Sequence, residues 1–434
     1  MNKFNSKIGF ILTAVGSAVG MANVWGFPYK FQQGGLVFLL AYLVFIVIFS
    51  YVGLSSEFAV GRLAGTGTLG AYYKSFKSKN KDTLIGKYIG FIPLLGSLLI
   101  AVGYAVIVSY VSKALFDSLT GSLMRADTSA WFDSFSQKPY SVVGFHFAII
   151  AITLITCIGG ASTIEKSNKF MMPTFFILFV VLAIKILTLD GAIEGYKYMF
   201  RYDSEALNIN TIVQAMGQAF FSLSVTGSGM IVCGAYLSKD EDIVSSSKMT
   251  GLLDTIAALL SSCVIIPAIM VYKMDQAGGP GLLFQVLPTI LQDMFLGRLF
   301  AIILYLAVIL AGISSLQNMF EVVAESLMNR YPKIKRNLAL FLIGIFVFGL
   351  GVNMEMISQW GPFMDIISIY IIPIGASIGA VTWFYVLAKD KLIGEINQGS
   401  EKKYGDSWYK IGKYIYTPIA IILCVIALIF KVSF

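Results

Sequence analysis

The sequence predicts an all-α polytopic membrane protein with about eleven transmembrane helices. Three observations lead to this prediction. Of the 434 residues, 57% are apolar and only 13% are charged, whereas about 25% are charged in an ordinary soluble domain. The mean hydropathy is +0.78. Apolar runs long enough to cross a hydrocarbon core of about 30 Å recur along the chain. This composition excludes a soluble enzyme, a disordered protein and a nucleic-acid-binding protein.

The apolar runs predict eleven helices, of which the ninth is the shortest. Their approximate bounds are 8–33, 36–61, 88–117, 141–160, 167–189, 208–236, 243–272, 296–328, 338–352, 361–388 and 411–432. No soluble domain separates them, so residues 1–434 are expected to form a single transmembrane domain. The longest polar stretch, 389–410, has room for one amphipathic turn or helix. The outer loops are predicted at 118–140, 190–207 and 273–295.

The basic residues predict the orientation. If the N-terminus is cytoplasmic, 22 of the 32 Lys and Arg residues lie in cytoplasmic segments. The positive-inside rule therefore favours a cytoplasmic N-terminus, and an odd number of helices then places the C-terminus outside. The first twenty residues imitate a secretory signal. We interpret them as part of a mature helix because the apolar pattern continues through Trp25-Gly26-Phe27-Pro28.

The reactive side chains of the sequence do not form an enzymatic pattern. Four cysteines, 157, 233, 263 and 424, lie in or beside apolar segments without paired spacing, and His146 is the only histidine. This pattern favours neither a disulfide framework nor a metal site built from Cys and His. A solitary histidine gives no pair of nucleophile and general base, so we do not expect an enzyme.

Two predicted helices contain small and polar residues near their middle. Residues 16–23 read Gly-Ser-Ala-Val-Gly-Met-Ala-Asn, and residues 222–229 read Ser-Leu-Ser-Val-Thr-Gly-Ser-Gly. Glycine costs about 1 kcal/mol per helix position relative to alanine, so these clusters favour local unwinding. Paired broken helices in an inverted repeat indicate the central site of a transporter. Close helix packing through small residues is the alternative explanation.

The two breaks begin corresponding halves of a five-plus-five arrangement. Repeat one would cover about residues 8–189 and repeat two about 208–388, with an additional helix at about 411–432. Unwound backbone is tolerated at bilayer depth only where protein buries it or a cavity solvates it. The breaks therefore predict a cavity at the centre of the molecule.

Several motifs occur in order along the chain. They are Gly9-Phe10-Ile11-Leu12, the run from Ala18 to Tyr29, Glu57-Phe58-Ala59-Val60-Gly61-Arg62, residues 218–224, Lys239-Asp240-Glu241-Asp242-Ile243 and Ala311-Gly312-Ile313-Ser314-Ser315. As a set they closely resemble the neurotransmitter:sodium symporter family, and eleven helices resemble its bacterial branch. The resemblance implies the leucine-transporter-like fold with helices 1 and 6 broken. It also implies a sodium-coupled symporter of the bacterial inner membrane that imports an amino acid by alternating access.

The resemblance implies two sodium sites. The first would use the carbonyls of Gly16, Val19 and Ala311 with the hydroxyls of Ser314 and Ser315. Such oxygens suit a hard cation. The hydroxyls of an Ala-Gly-Ile-Ser-Ser run can instead bond to the backbone of their own helix.

The second sodium site would include an ionisable side chain. Its ligands would be the Ala18 carbonyl, Asn23, Ser222, Asp254 and the substrate carboxylate. The family usually has Asn where this chain has Asp254. Chloride-dependent relatives bind an anion here, and Tyr42, Gln218 and Ser222 match part of its shell. A fixed carboxylate at 254 would replace that anion, so chloride is not expected to be required. The alternative is a protonated Asp254 bonded between helices.

The resemblance also implies a substrate pocket between the breaks. Its residues would be Ala18, Met21, Ala22, Ile100, Tyr104, Phe221, Ser222, Ser224, Gly227, Ser315 and Met319. Amides near Met21 and the Tyr104 hydroxyl would bind the carboxylate, and carbonyls near Ala18 and Ser224 would bind the ammonium. Gly20 stands where monoamine transporters carry Asp, which favours an amino acid over an amine. A mostly apolar wall favours a neutral, hydrophobic or aromatic substrate, although the register near 227 could shift by one.

The gates are the least regular part of the resemblance. Asp365 matches the outer acidic gate residue, but Gly26 occupies the position of its usual Arg partner. Lys30, one turn outward, is a candidate substitute, and Tyr104 with Phe221 alone is the alternative. On the inner side, Glu321 and Glu325 are expected to pair with Lys3 or Lys7 and to bond Tyr236. A water-filled vestibule would equally explain these two carboxylates.

Two rival functions remain open at this point. A proton-coupled amino acid transporter on the same fold is supported by the titratable Asp254 and Glu57. A non-transporting receptor or channel is the other rival, although a channel predicts a continuous polar stripe rather than two polar breaks. The expected partners are a small amino acid and the lipid bilayer, without nucleic acid, and the sequence does not predict the oligomeric state.

Overall fold

The computed structural model describes residues 3–79, 83–274 and 278–432. In these residues the secondary structure is helical, and no strand occurs. Two predicted loops are described only in part. Lys81, in the loop predicted to be cytoplasmic, and residues 275–277, in a loop predicted to be external, lie outside the described residues. Eight described helices are long and apolar enough to cross a membrane, and Lys7–Ala18 and Val143–Cys157 are shorter apolar helices.

The first five spans, with the segment between spans 2 and 3, contain ten helical segments. Span 1 contains Lys7–Ala18, Ala22–Gly26 and the start of Phe27–Ile48, and span 2 contains the rest of Phe27–Ile48, Phe49–Leu54 and Ser55–Ala64. The helices Thr68–Lys77 and Thr83–Tyr88 lie between spans 2 and 3. Span 3 is Phe91–Thr120, span 4 is Val143–Cys157 and span 5 is Ala161–Leu187. Gly35 divides Phe27–Ile48 into the end of span 1 and the start of span 2, because its φ of 51° is not helical. A side chain is excluded there, since an added Cβ would lie 2.5 Å from the Arg201 carbonyl oxygen.

The remaining six spans follow in the predicted order. They are Ile209–Ser222 with Ile231–Ala235, Ile243–Val271, Gly297–Arg330, Arg336–Gly351, Ile357–Asp365 continued to Val386, and Asp406–Ile411 continued through Gly412–Tyr416 and Thr417–Phe430. We number these spans 6 to 11. The polar stretch after span 10 contains the short helix Lys389–Asn397. Short helices also occupy the loops predicted to be external, at Leu123–Arg125, Thr128–Ser136, Ala192–Met199, Leu282–Val286 and Leu287–Asp293.

Local sequence signals explain several helix starts. Ser6 accepts a hydrogen bond from the Gly9 N–H and caps span 1. Asn208 caps span 6 through the Thr211 N–H, and Asp242 caps span 7 through the Ser245 N–H. Side-chain oxygens at these positions satisfy N–H groups that have no partner within the helix.

The packing places spans 1 and 6 at the centre. Span 8 packs along span 3, Ile209–Ser222 packs along Phe27–Ile48, and Lys7–Ala18 contacts spans 5, 7 and 8. Spans 5 and 11 expose many apolar side chains, as expected for helices that face lipid. The two broken helices are therefore enclosed by other helices, which is where unwound backbone is tolerated in a membrane.

Candidate functional site

The break in span 1 depends on residues 19–23. The helix ends at Val19, which has extended backbone angles. Gly20 then donates its N–H to the Asn23 side-chain oxygen at 3.0 Å. Gly20 also has no room for a side chain, because an added Cβ would lie 2.1 Å from the Tyr104 hydroxyl oxygen. The break therefore brings the backbone of span 1 against span 3.

The break in span 6 is held by side chains from another part of the chain. After Ser222 the chain passes through Ser224 and Gly227, which have φ of 53° and 77°. The buried Glu57 carboxylate accepts N–H groups from Gly227 at 2.7 Å and from Met230 at 3.1 Å. These bonds replace partners that the unwound segment would have had in a helix. Glu57 was noted in the sequence as part of the span 2 motif and as a titratable group, but its bonds to span 6 were not predicted.

The two breaks meet and enclose a cavity. Ser224 donates its hydroxyl to the Ser17 carbonyl oxygen at 3.1 Å, and Asn318 of span 8 donates to the Gly229 carbonyl oxygen at 2.7 Å. The cavity measures about 680 Å³ including the space open to solvent. None of the described residues that line it is Asp, Glu, Lys, Arg or His. It can therefore receive a group of zero net charge without leaving a buried charge unpaired.

Most of the predicted substrate residues line this one cavity. They are Ala18, Met21, Ala22, Ile100, Tyr104, Phe221, Ser224, Ser315 and Met319. Gly20, noted above as the position where monoamine transporters carry Asp, also lines it, and eight further lining residues were not predicted, namely Ser17, Pro93, Gly96, Ser97, Thr226, Gly229, Asn318 and Ile372. The quoted span 1 and span 6 motifs contain or adjoin several of them, whereas nothing in the sequence marked the start of span 3 or span 10.

Two predicted substrate residues lie elsewhere. Ser222 faces the ion-binding residues described below. Gly227 does not line the cavity, and an added Cβ there would lie 2.3 Å from the Gly375 carbonyl oxygen and 2.9 Å from the Tyr72 hydroxyl. Its positive φ directs it against span 10, and Thr226 and Gly229 line the cavity instead. The prediction that Gly227 lines the substrate cavity is therefore wrong.

Tyr104 lies at the boundary between this cavity and an outer vestibule. Its hydroxyl accepts the Met21 N–H at 2.9 Å. Tyr104, Phe221 and Ile100 line both spaces, and the vestibule extends outward to Lys30 and Asp365. Tyr104 is therefore placed between the cavity and the vestibule.

The first set of predicted sodium ligands forms a cluster of oxygens between spans 1 and 8. Ser315 donates its hydroxyl to the carbonyl oxygens of Gly16 at 3.2 Å and Val19 at 3.0 Å. Ser314 donates to the Ala311 carbonyl oxygen of its own helix at 2.8 Å, which is the alternative arrangement left open by the sequence. Gly16 lies beside Ser314, since an added Cβ would be 3.0 Å from the Ser314 Cβ. The Ser315 hydroxyl and two span 1 carbonyl oxygens therefore lie together and are of types that suit sodium, whereas Ser314 and Ala311 bond to each other within span 8.

The second set surrounds the Asp254 carboxylate. Asp254 is fully buried. It accepts the Ser222 hydroxyl at 2.8 and 2.9 Å, the Asn23 side-chain amide at 2.8 Å and the Tyr42 hydroxyl at 3.2 Å. Asn23 thus directs its nitrogen, not its oxygen, towards Asp254, while its oxygen accepts the Gly20 N–H. The Asn23 oxygen has a second lone pair, which this bond to Gly20 leaves available for a cation.

The outer gate differs from the expected Lys30–Asp365 pair. Lys30 donates to the Gln218 side-chain oxygen at 2.9 Å. Asp365 is exposed in the same vestibule. Within the described chain no ion pair of 4.0 Å or less joins Lys30 to Asp365. Gln218 also donates to the Ala22 carbonyl oxygen, so Lys30 is tied to the first break rather than to span 10.

The inner side is closed by a buried polar group. Tyr236 donates its hydroxyl to Glu321 and lies 3.4 Å from a Glu325 oxygen. Arg336, at the start of span 9, donates to both oxygens of Glu321. The Phe4 ring packs edge-on against Tyr236 at 5.8 Å between centroids. Glu321 is 2% exposed, so its carboxylate and the groups bonded to it form a buried polar group.

The prediction that Glu321 and Glu325 pair with Lys3 or Lys7 is wrong. Neither lysine forms an ion pair within the described residues, because the N-terminal segment bonds to a different carboxylate. Glu165 of span 5 accepts the Asn5 N–H at 2.6 Å and pairs with Lys169 at 2.7 Å. Nothing in the sequence distinguished Arg336 from the other basic residues of its loop.

Comparison with known proteins gives consistent matches over the chain. The model of the family described as the sodium:neurotransmitter symporter family matches residues 1–141 and 139–433. The uncharacterized sodium-dependent transporter YhdH of Bacillus subtilis is 31% identical over 448 residues, covering 99% of this chain and 98% of YhdH. The sodium- and chloride-dependent GABA transporter ine of Drosophila melanogaster is 26% identical over 384 residues, covering 77% of this chain and 40% of that protein.

A solved structure also matches. The crystal structure of MhsT in complex with L-phenylalanine aligns with a TM-score of 0.87 and 28% sequence identity. The alignment covers 99% of this chain and 100% of MhsT. The predicted helical fold with two broken helices is thereby confirmed.

Proposed function

Because the chain belongs to the sodium:neurotransmitter symporter family, we propose that it imports a neutral apolar or aromatic amino acid together with sodium by alternating access. Membership makes it a multi-pass, sodium-dependent membrane transporter and not an enzyme. The substrate, the direction of transport and the number of sodium ions are the content of the proposal.

The observation that carries this proposal is the uncharged cavity between the two breaks. The second half of span 1 starts beside it, at Met21 and Ala22, and helix starts attract a carboxylate. The Tyr104 hydroxyl adds a donor on the same side. The first half of span 6 ends at Ser222, and the carbonyl ends of helices attract an ammonium group. An amino acid carries both a carboxylate and an ammonium group, so it can bind the helix start in span 1 and the helix end in span 6 at the same time.

The rest of the wall supports an apolar or aromatic side chain. Ile100, Met319 and Ile372 are apolar, and Phe221 offers a ring for packing. Gly96 and Gly229 line the same wall and add no side chain to it. MhsT, which has the same fold, was crystallised in complex with L-phenylalanine. An anionic or cationic side chain would find no countercharge in this wall.

Two sodium ions and no chloride form the ionic part of the proposal. The oxygens around Ser315 and the group around Asp254 would each receive one ion. Tyr42 and Ser222 direct hydroxyls at the Asp254 carboxylate, where a negative charge is thus already held by the chain. The excess of basic residues on one side supports a cytoplasmic N-terminus.

Ligand binding to the purified full chain tests the substrate class. Labelled phenylalanine would be competed with leucine, tryptophan, glutamate, lysine and phenethylamine, in sodium and in choline buffer. We expect competition by leucine and tryptophan in sodium only. Tyr104→Phe should weaken binding, whereas Tyr140→Phe, at an exposed outer tyrosine, serves as the matched control. Equal competition by phenethylamine, which lacks a carboxylate, would contradict the proposal.

A further inference from the structure

A polar cleft lies at the end of the bundle that also holds the N-terminus. It is lined by Leu69, Gly70, Tyr73, Lys87, Asn329 and Arg330. Helix Thr68–Lys77, the end of span 8 and the helix Thr83–Tyr88 before span 3 each contribute to it. Its volume is about 640 Å³ including its mouth. None of these residues belongs to the substrate cavity or to either ion cluster.

The two cations of the cleft have no anionic partner. Neither Lys87 nor Arg330 lies within 4.0 Å of a carboxylate in the described chain, and no hydrogen bond from the Arg330 guanidinium occurs there. The Arg330 Nε is nevertheless buried, although it has no hydrogen-bond acceptor. By contrast, Arg62 and Arg336 each pair with a buried carboxylate. A buried N–H without an acceptor is unfavourable, which indicates that this cleft is completed by a bound anion.

The surroundings indicate where that anion comes from. Lys87 lies on a short helix whose Ile85 and Tyr88 are 50% and 52% exposed, and the exposed Phe91 and Ile92 continue this apolar surface along span 3. Uncovered apolar side chains at the end of a span lie against lipid. Basic pockets between spans on the cytoplasmic side suit the head groups of anionic lipids.

We propose that this cleft binds the phosphate of an anionic phospholipid in the leaflet on the N-terminal side. Arg330 would donate two N–H groups to the phosphate oxygens, a geometry that favours Arg. Lys87 supplies the second charge, and the Tyr73 hydroxyl supplies a further donor. The acyl chains lie along the exposed apolar surface of the start of span 3.

The proposed lipid site lies beside a helix that contacts the broken span 6. Tyr72, the residue before Tyr73, donates its hydroxyl to the Gly227 carbonyl oxygen at 3.0 Å. The Tyr72 ring also packs against Trp383 of span 10, with 4.7 Å between ring centroids. A lipid bound at helix Thr68–Lys77 would therefore lie beside a residue that contacts the break in span 6.

Native mass spectrometry of the full chain tests this site. Parent protein, Lys87→Gln/Arg330→Gln and the matched control Lys391→Gln/Lys402→Gln would be titrated with phosphatidylglycerol or phosphatidylcholine of the same acyl chains. The control lysines are exposed on the same side of the protein. We expect the first double variant to bind the first phosphatidylglycerol about 30-fold more weakly, since each basic residue near an anionic lipid contributes about fivefold. The control should bind like the parent.

A second arm distinguishes a lipid from a free anion. Labelled inorganic phosphate is offered to the three proteins in nanodiscs of phosphatidylcholine. One outcome is that phosphate binds the parent and the control but not Lys87→Gln/Arg330→Gln, while the phosphatidylglycerol affinity of that variant equals that of the parent. This outcome overturns the lipid proposal and assigns the cleft to a soluble phosphate compound. Equal affinity of all three proteins for phosphatidylglycerol also overturns it. Sodium-dependent amino acid binding in detergent should be equal in the three, which confirms that the variant is folded.

Discussion

Replacement of Asp254 by asparagine tests the ionic account at its most unusual residue. Asp254 lies in the middle of span 7 (Ile243–Val271) and is fully buried. Its two oxygens accept bonds from Ser222, Asn23 and Tyr42. Asp254→Asn keeps the shape of the side chain, removes its charge and turns one acceptor into a donor. The hydroxyls of Ser222 and Tyr42 can rotate, so we expect the fold to survive.

The magnitude follows from the loss of one buried charge. A carboxylate about 4 Å from a monovalent cation contributes about 4 kcal/mol at an effective dielectric constant of 20. Bonds from Ser222, Asn23 and Tyr42 already stabilise the carboxylate and reduce the part available to sodium. We therefore expect Asp254→Asn to lose at least about 1.4 kcal/mol, which is about tenfold in sodium affinity. Freed Tyr42 and Ser222 hydroxyls would then donate hydrogen bonds to chloride, which would be the replacement anion.

The assay compares sodium-driven uptake of phenylalanine into liposomes in chloride and in gluconate. The parent should transport equally in both salts. Asp254→Asn should need more sodium for half-maximal uptake and should recover part of its activity when chloride is added. Asp390→Asn is the matched control, because Asp390 is exposed on the helix Lys389–Asn397 and makes no ion pair in the described chain.

Two results would refute this reasoning. A parent that stops transporting in gluconate would show that chloride, and not Asp254, supplies the negative charge. An Asp254→Asn variant with the sodium affinity of the parent in both salts would make Asp254 a packing residue. Loss of folding in the variant is checked separately by its thermal melting temperature in detergent.

Three further predictions address the remaining parts of the pathway. Replacing Ser314 and Ser315 by alanine removes two hydroxyls of the first ion cluster, so half-saturation by sodium should rise at least about tenfold, whereas an unchanged value would remove span 8 from the ion site. Tyr104→Phe should weaken phenylalanine binding by about 1–3 kcal/mol, because a hydrogen bond to a carboxylate is charge-assisted; an unchanged dissociation constant would place Tyr104 outside the first contacts. Arg336→Gln leaves the buried Glu321 unpaired and should loosen the inner side. In a background with the other three cysteines changed to serine, a water-soluble maleimide should label the buried Cys233 about tenfold faster in Arg336→Gln, and equal labelling rates would show that Arg336 does not hold the inner side shut.

Much of the fold could be predicted because it depends on local signals. Apolar length determines where a span can cross a bilayer, and clusters of glycine and polar residues mark where a helix ends. The predicted boundary between the first two spans falls at Gly35, where a non-helical φ is observed. The separate ninth span, Arg336–Gly351, was likewise predictable from an apolar run.

The site was less predictable where it depends on backbone direction and on distant pairing. Gly227 was expected in the cavity, but its positive φ points it at Gly375, and neighbouring residues take its place. Spacing along the sequence does not report such a turn in an unwound segment. Similarly, Glu321 pairs with Arg336 across a loop and not with the N-terminal lysines. Several basic residues were available, and only the packed structure selects among them.

Uptake driven by defined gradients tests the central claim most directly. Liposomes that contain the full chain would be given labelled phenylalanine with an inward sodium gradient, or with an inward proton gradient in the absence of sodium. The account predicts accumulation above the external concentration with the sodium gradient and none with the proton gradient alone. Equal accumulation with the proton gradient would contradict it and would favour a proton-coupled transporter in which Asp254 or Glu57 carries the proton.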